Sequence, residues 1–571
     1  MARRYLLMAV CLFAGWTLYG HEAVAAAKTL RVASVQLEVT PDLGRNLNRI
    51  ETGIREAAAA DARVVVFPET ALSGFSEAAI EALDWTTLNT AMDTIAALAK
   101  ELDCYVIYGS ATLSPHEKPY NSAIVVGPDG KEIFRYHKSF PENWFEPGER
   151  LALFEIDGIP ATVIVCHDSR YPELVRIPVM AGARICFYIS YEINEIVSAL
   201  RKQEGYRAQL IARAAENNIW VVQSNGYGPL GGAESLSLGE SRMVDPAGVV
   251  VAQAPALKDA LLVYDLHPRE ASRHNALRSA EGKMLGPLLE AGVEELKGRL
   301  NALDISKAAP EEKGNQVRLA LMQAVPEKWN LEKNFDTFLY YLDEARNAQI
   351  FITPECWLDG YSAADKTSTP ERLSDVAQDP AASPYLARVA QEARERKMWI
   401  CFGFSARLNG NLYNTAGLWN EQGELAGLYH KTHLQTHDLQ YAPGPALSPF
   451  PTPWGPVGIM ICADRRWPET ARALRLQGAR LILNPTYGMH HYDNQRWMRT
   501  RAFENQCFIA FTHPEQGLVL NPRGDIQASQ YTTPGVLVCD IDLSEAKEDN
   551  HLQDRRPDLY GPLAERGKFK E

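Results

Sequence analysis

The stretch that most constrains this chain is one it contains twice. Val163-Ile-Val-Cys166-His-Asp168-Ser-Arg170-Tyr-Pro172-Glu173 ends a β-branched run in a cysteine, then adds a small polar turn and helix-compatible residues. Gly458-Ile-Met-Ile-Cys462-Ala-Asp464-Arg-Arg466-Trp-Pro468-Glu469 repeats the Cys, Asp, Arg, Pro and Glu at the same spacing. A cysteine at the carboxyl end of a buried strand sits where backbone N–H groups of the following turn can meet a developing oxyanion. One copy could arise by chance, whereas two copies sharing five positions indicate a duplicated unit.

The chain of 571 residues is too long for a single core, since domains run to roughly 100–250 residues. The repeat sets the count at two. The expected division is a signal peptide over 1–27, a first domain over 28–268, a helical linker over 269–314 and a second domain over 315–571. A net charge of −13, with no offsetting face dense in Lys and Arg, removes the phosphate-neutralising term that drives nucleic-acid binding. A small-molecule partner is expected, and no nucleic acid. Of nine cysteines, Cys11 lies in the amino-terminal apolar segment. Most of the others, such as Cys104 and Cys539, sit in strand-like runs and read as small buried hydrophobes, not disulfides.

Arg3-Arg4, the apolar run Leu6 to Tyr19 and the small residues 23–27 have the layout of a cleaved export signal. The apolar run is shorter than the ~20 residues a membrane-spanning helix needs. The expectation is an exported protein, periplasmic or secreted, with no stable membrane span; anchoring through an uncleaved amino terminus is the alternative.

Each unit then follows one programme. Leu30-Arg-Val-Ala-Ser-Val-Gln36 alternates as a strand, Asn46 to Ala60 has helical periodicity, and Ala62 to Phe67 is an apolar strand delivering Glu69. A second helix is expected near 88–101. The β-α-β order implies sheets with helices packed on them. Pro128-Asp129-Gly130 and Asp245-Pro-Ala-Gly248 mark hairpins. In the second unit the matching points are Val317 to Gln323, Thr353-Pro-Glu355, Tyr429-His-Lys431 and Cys462. Leu285, Leu288, Leu289, Val293, Leu296 and Leu300 suggest an interdomain helix between the units.

Glu69, Lys138 and Cys166, with Glu355, Lys431 and Cys462, give each unit a carboxylate after a strand, a lysine after a hairpin and a cysteine after another strand. These side chains suffice for acyl transfer. A thiol of pKa ~8.5 needs a base or a nearby cation to become a good nucleophile. The glutamate can take the proton and later activate water, while the lysine supports the thiolate and the oxyanion. The backbone N–H groups of His167 and Ala463 are the oxyanion partners this order offers.

On Phe67-Pro-Glu69 with Gly74-Phe75, Tyr136-His-Lys138, Cys166 to Glu173, their second-unit counterparts, and the repeated Tyr-Asn-[Ser/Thr]-Ala and Arg-Ala-x-Glu-Asn signatures, the chain resembles the nitrilase superfamily, the carbon–nitrogen hydrolases, twice over. Asp554-Arg-Arg-Pro-Asp-Leu-Tyr560 matches a family ending and occurs once. The resemblance implies an α/β fold of two tandem four-layer αββα sandwiches and cofactor-free, metal-free Glu-Lys-Cys chemistry on amides, nitriles, carbamoyl compounds or ureides. It also implies pairing of the two units as an intramolecular pseudo-dimer, with higher self-association left open. Many members carry a second glutamate after the lysine; Glu142 holds that place in the first unit and the shorter Asp438 in the second, which points to a less efficient second site. The first unit has Ser190-Tyr191 where the second has Asn484-Pro485. Trp144, Tyr191, Trp357, Tyr487 and His490 are candidate pocket walls.

The function expected is hydrolysis of non-peptide carbon–nitrogen bonds through a cysteine thioester, with an amide favoured over a nitrile. N-acyl transfer, and a nitrilase-like binding or dimerisation scaffold with only one active half, are the competing readings.

Overall fold

The computed structural model describes residues 29–230, 234–279, 313–438, 440–488, 491–531, 534–548, 550–556 and 560. The expected signal peptide and the apolar stretch at 285–300 lie outside the described residues, as does His490.

Residues 29–279 build two six-stranded sheets. In the first the order is Ala260–Leu266, Leu30–Gln36, Val64–Val66, Tyr105–Thr112, Tyr120–Val126, Glu132–His137, with the three central strands parallel. In the second it is Val250–Gln253, Arg242–Val244, Trp220–Asn225, Ile185–Ser190, Ile159–Val165, Phe154–Ile156. The period of two along a strand assigns each residue to a layer. Val64 and Val66 join Val163, Val165, Phe187 and Val222 in the core between the sheets, while Val65 and Val106 face Ile50, Ile54, Leu88 and Ile95 of the covering helices. The sheets are also tied directly, Ser34 donating to the Gln223 carbonyl and Ser224 to the Val35 carbonyl, both at 2.7 Å. Helices Leu43–Ala59 and Trp85–Glu101 cover one outer face; Glu173–Met180 and Ile196–Ala215 cover the other. Both of the first pair begin earlier than periodicity indicates, because Asp42 and Asp84 cap them by accepting from Arg45 N and Thr86 N.

The second unit repeats the plan. Leu425–His430, Asn411–Trp419, Trp399–Leu408, Ile350–Ile352, Gln316–Gln323 and Gly535–Asp542 form one sheet, and Val457–Ile459, Leu481–Pro485, Phe508–His513, Gln516–Leu520 and Ile526–Tyr531 the other. Each unit is therefore an αββα sandwich. Among the described residues only the first unit adds a small sheet, of Tyr227–Pro229, Ser235–Leu238 and Asn194–Glu195, beside its second sheet, which alternation of apolar residues did not signal.

The units meet along their second-sheet helices, Ile196–Ala215 packing on His491–Asn505. Buried ion pairs cross this contact: Arg176 to Glu469 at 2.9 Å, Arg213 to Glu504 and Arg501 to Glu216 at 2.6 Å. The segment after the second unit also crosses over. Tyr560 is fully buried against the first unit's core with the Arg555 guanidinium over its ring, and Arg556 donates to the Gly148 carbonyl at 3.1 Å. In the other direction, the Asn275 carbonyl accepts from Trp467 and Arg278 donates to the Leu434 carbonyl. Among the described residues no helix is long and apolar enough to cross a membrane.

Candidate active sites

Strand Val64–Val66 ends in Phe67-Pro-Glu69, and Glu69 turns inward with no exposed surface. This requires the neighbouring strand to come very close: a Cβ on Gly109 would lie 2.2 Å from Thr70 N and 2.6 Å from Glu69 Cα, and one on Gly403 would lie 2.4 Å from the Pro354 carbonyl oxygen. Gly109→Ala is expected to push Glu69 outward and lower first-centre turnover by about 10²-fold, the scale of a ~1 Å misplacement. Kinetics in a chain carrying Cys462→Ala measure it.

Lys138 follows strand Glu132–His137 and is fully buried. Its Nζ lies 2.7 Å from Glu69 Oε1 and 3.0 Å from both Glu142 oxygens. Asn121 donates to Glu69 Oε1 at 2.8 Å and the Tyr191 N–H to Oε2 at 3.0 Å. Burial raises the Glu69 carboxyl against the opposing pull of Lys138. Burial would lower Lys138, but Glu142 and Glu69 more than offset it and hold the ammonium firmly charged. The lysine thus stays charged, and the carboxyl beside it has more appetite for a proton than a free glutamate, as a general base requires.

Cys166 opens the turn Cys166–Arg170 at φ 43°, in the left-handed region that a non-glycine residue enters only when its surroundings compel it. Asp168 supplies the compulsion. Its carboxylate accepts from Val165 N at 3.1 Å, Tyr136 Oη at 2.8 Å and Phe140 N at 3.1 Å. Burial and then the Glu69 charge hold the Cys166 thiol well above its usual range, so it rests protonated. Burial likewise drives His167 far below the usual imidazole range, leaving it neutral. Behind Cys166, Tyr188 Oη lies within hydrogen-bond reach of the Cys166 carbonyl at 3.2 Å and of Glu192 at 3.0 Å.

The second centre has the same frame. Lys431 Nζ stands 2.7 Å from Glu355 Oε1 and 2.7 Å from Asp438 Oδ2, and Asn414 donates to Glu355 at 2.7 Å. Cys462 has φ 45°. Asp464 clamps its turn through Ile461 N at 2.9 Å, Tyr429 Oη at 2.7 Å and the backbone and ring nitrogens of His433 at 2.9 Å. Glu355 Oε2, however, is buried without a partner among the described residues, where the first centre has the Tyr191 N–H.

The structure corrects three expectations. The shorter Asp438 does not weaken the second centre's lysine contact: the turn Thr436–Asp438 carries it closer to Lys431 than Glu142 comes to Lys138, and Tyr361 donates to its other oxygen at 2.7 Å. Phe75 holds the place of Tyr361 in the first unit and has no hydroxyl to do this. Strand register, pairing Val163 with Phe187 and Ile459 with Leu483, sets Asn484-Pro485 opposite Tyr188-Ile189, not Ser190-Tyr191. Trp357 is core, fully buried under helix Leu331–Glu344 with its indole donating to the Asn334 carbonyl. Trp144 and Tyr191 do gather at the first centre, both edge-on to Phe75, whose ring is 6.0 Å from Lys138 Nζ. Tyr487 packs on Tyr361 at 5.0 Å.

Sequence reasoning missed the turn-clamping role of Asp168 and Asp464 and the contribution of Tyr361. The signal for the first was present, an aspartate two residues after both cysteines. The eight described cysteines are unpaired, and Cys166 is the least buried of them.

Comparisons with known proteins give the family. The carbon-nitrogen hydrolase family description matches residues 31–273 and again 318–550. A Pseudomonas protegens protein described as "Hydrolase in pqqF 5'region" is 33% identical over 272 residues, 44% of this chain and 93% of its own. Human deaminated glutathione amidase is 31% identical, over 34% of this chain and 73% of its own. Human omega-amidase NIT2 is 27% identical, over 38% and 86%. Among solved structures, an amidase from Nesterenkonia sp. matches with TM-score 0.39 at 24% identity, covering 43% of this chain and 92% of that one. With both sandwiches matched, the chain belongs to the carbon–nitrogen hydrolases of the nitrilase superfamily, and carries the family's unit twice.

Proposed function

We propose that each unit is a cysteine amidase, with Glu69, Lys138 and Cys166 as the first catalytic triad and Glu355, Lys431 and Cys462 as the second. The observation that carries this is the buried Glu–Lys pair at 2.7 Å in both units, each beside a cysteine held at positive φ. In the reaction, glutamate takes the thiol proton as sulfur attacks the amide carbon. The proton passes to the amide nitrogen, the C–N bond breaks, ammonia or an amine leaves, and a thioester remains. Glutamate then deprotonates a water that attacks the thioester, releasing the acid and restoring the thiol. Lysine, with the backbone N–H after each cysteine, faces the oxyanion in both halves of the cycle. Glu142 and Asp438 keep that lysine charged and placed.

Relatives described as amidases support an amide over a nitrile. The domain limits given above and the reading of the two units as an intramolecular pseudo-dimer belong to this proposal, the latter supported by ion pairs crossing between equivalent helices. Export to the periplasm or beyond is also proposed, on the composition of residues 1–27. Acyl transfer to an amine is the second reading, since a thioester accepts either nucleophile. The test is an amide panel scored for ammonia and acid in equal amounts, with rapid quenching and mass spectrometry of the Cys166 and Cys462 peptides. Equimolar products and an acyl adduct on these peptides are expected; adducts on neither would overturn the proposal.

A further inference from the structure

Four side chains at the contact between the units form a closed ring of charge. Arg213 and Glu216 come from the first unit, Arg501 and Glu504 from the second, and none is more than about 1% exposed. Each glutamate spends its two oxygens on different arginines: Glu216 meets Arg213 through Oε1 and Arg501 through Oε2, and Glu504 meets Arg501 through Oε1 and Arg213 through Oε2. Each arginine therefore has one glutamate from its own unit and one from the other.

The remaining nitrogen of each arginine goes to a nucleophile turn. Arg213 Nε donates to the Ser169 carbonyl at 3.0 Å, within Cys166–Arg170. Arg501 Nε donates to the Arg465 carbonyl at 2.8 Å, and its Nη2 to the Arg466 carbonyl at 3.2 Å, within Cys462–Arg466. Both turns begin at a positive-φ cysteine, a conformation that persists only where surrounding contacts impose it. A guanidinium is a rigid planar fork, so its orientation on one edge is fixed by what holds the other. Losing a glutamate thus releases the grip on a carbonyl two units of structure away.

We propose that this ring couples the two centres: Glu504 of the second unit is a positioning residue for the turn that carries Cys166, and Glu216 of the first unit is one for the turn that carries Cys462. Each centre then needs the other unit for its geometry, although neither borrows a reacting group from it. The proposal rests on the reading of both cysteines as nucleophiles.

The test uses the full chain carrying Cys462→Ala, so that only the first centre turns over, and adds Glu504→Gln. Two quantities are read: the rate at which iodoacetamide alkylates Cys166, followed by peptide mass, and kcat and KM per titrated Cys166. The expected result is a fall of at least tenfold in alkylation rate and in kcat per titrated thiol, with KM within about twofold. A role confined to stability would lower the titratable fraction and leave both rates per thiol intact, which overturns the proposal. Glu469→Gln serves as the control, because it cuts another cross-unit pair, with Arg176, and touches neither turn carbonyl. It is expected to leave the alkylation rate within twofold, and an equal fall in both variants would also overturn the coupling. If Glu504→Gln does not fold, Glu504→Asp retains the charge with a shorter reach and is judged by the same criterion. Failure of the nucleophile reading looks different: Cys166 in the parent would then react no faster than Cys539.

Discussion

Replacing both nucleophiles, Cys166→Ala with Cys462→Ala, is expected to lower amide turnover by on the order of 10⁴-fold or more, because no thioester can form and residues that act as a unit lose nearly everything together. Each single variant should remove only its own centre's share. The two shares need not be equal, since Glu69 has both oxygens engaged while Glu355 keeps Oε2 unpartnered. Ammonia release across an amide panel, compared among the parent, two singles and the double, measures the split. Survival of more than about 1% of turnover in the double variant would point to a different nucleophile. Cys356 is the nearest competitor in sequence, adjoining Glu355 at φ 45°. Its sulfur instead lies 3.8 Å from Tyr441 Oη, and burial holds its thiol well above the usual range.

The second large effect concerns the lysines. Lys431→Ala is expected to destabilise the protein by about 3–5 kcal/mol, the scale for stranding a buried charge, and to abolish second-centre turnover. Glu355 and Asp438 would both be left without their cation in a site with no solvent exposure. Lys138→Ala should cost less stability, because Glu142 retains 25% of its side-chain exposure and can turn to water. Chemical denaturation of the two variants, with the midpoint and slope compared, gives the order. Equal losses would mean that the second carboxylate contributes little to either site.

The parts of the fold and site that were legible in the sequence are those fixed by local chain order. A β-branched run ending at Cys166, an apolar strand ending at Glu69 and a hairpin ending at Lys138 each put a side chain at a strand terminus, and the sandwich brings those termini together. The repeat made the reading firm. What escaped depends on distances the sequence does not encode. Asp438 was judged by the length of its side chain, whereas its reach is set by the backbone turn beneath it and by Tyr361, far away in sequence. Asp168 was visible at equal offset in both units, but its role as an acceptor needed Tyr136 and the Phe140 N–H to be placed around it. The misjudged register of Asn484-Pro485 came from counting from strand ends, when pairing with the neighbouring strand decides it. Trp357 was expected as a pocket wall, yet the chain leaving the left-handed turn at Cys356 carries it into the core.

The burial of Tyr560 against the first unit's core sets an order of events during synthesis. Domains generally fold as they emerge, amino-terminal first. Here the last strand of the first sandwich is complete at Leu266, yet the unit still lacks one aromatic ring of its core, which the ribosome adds about 290 residues later. At about 5–20 residues per second that is on the order of 15–60 s during which the first unit waits with an open seam. The second unit is made in that interval, so completion of the older sandwich and arrival of the younger one coincide.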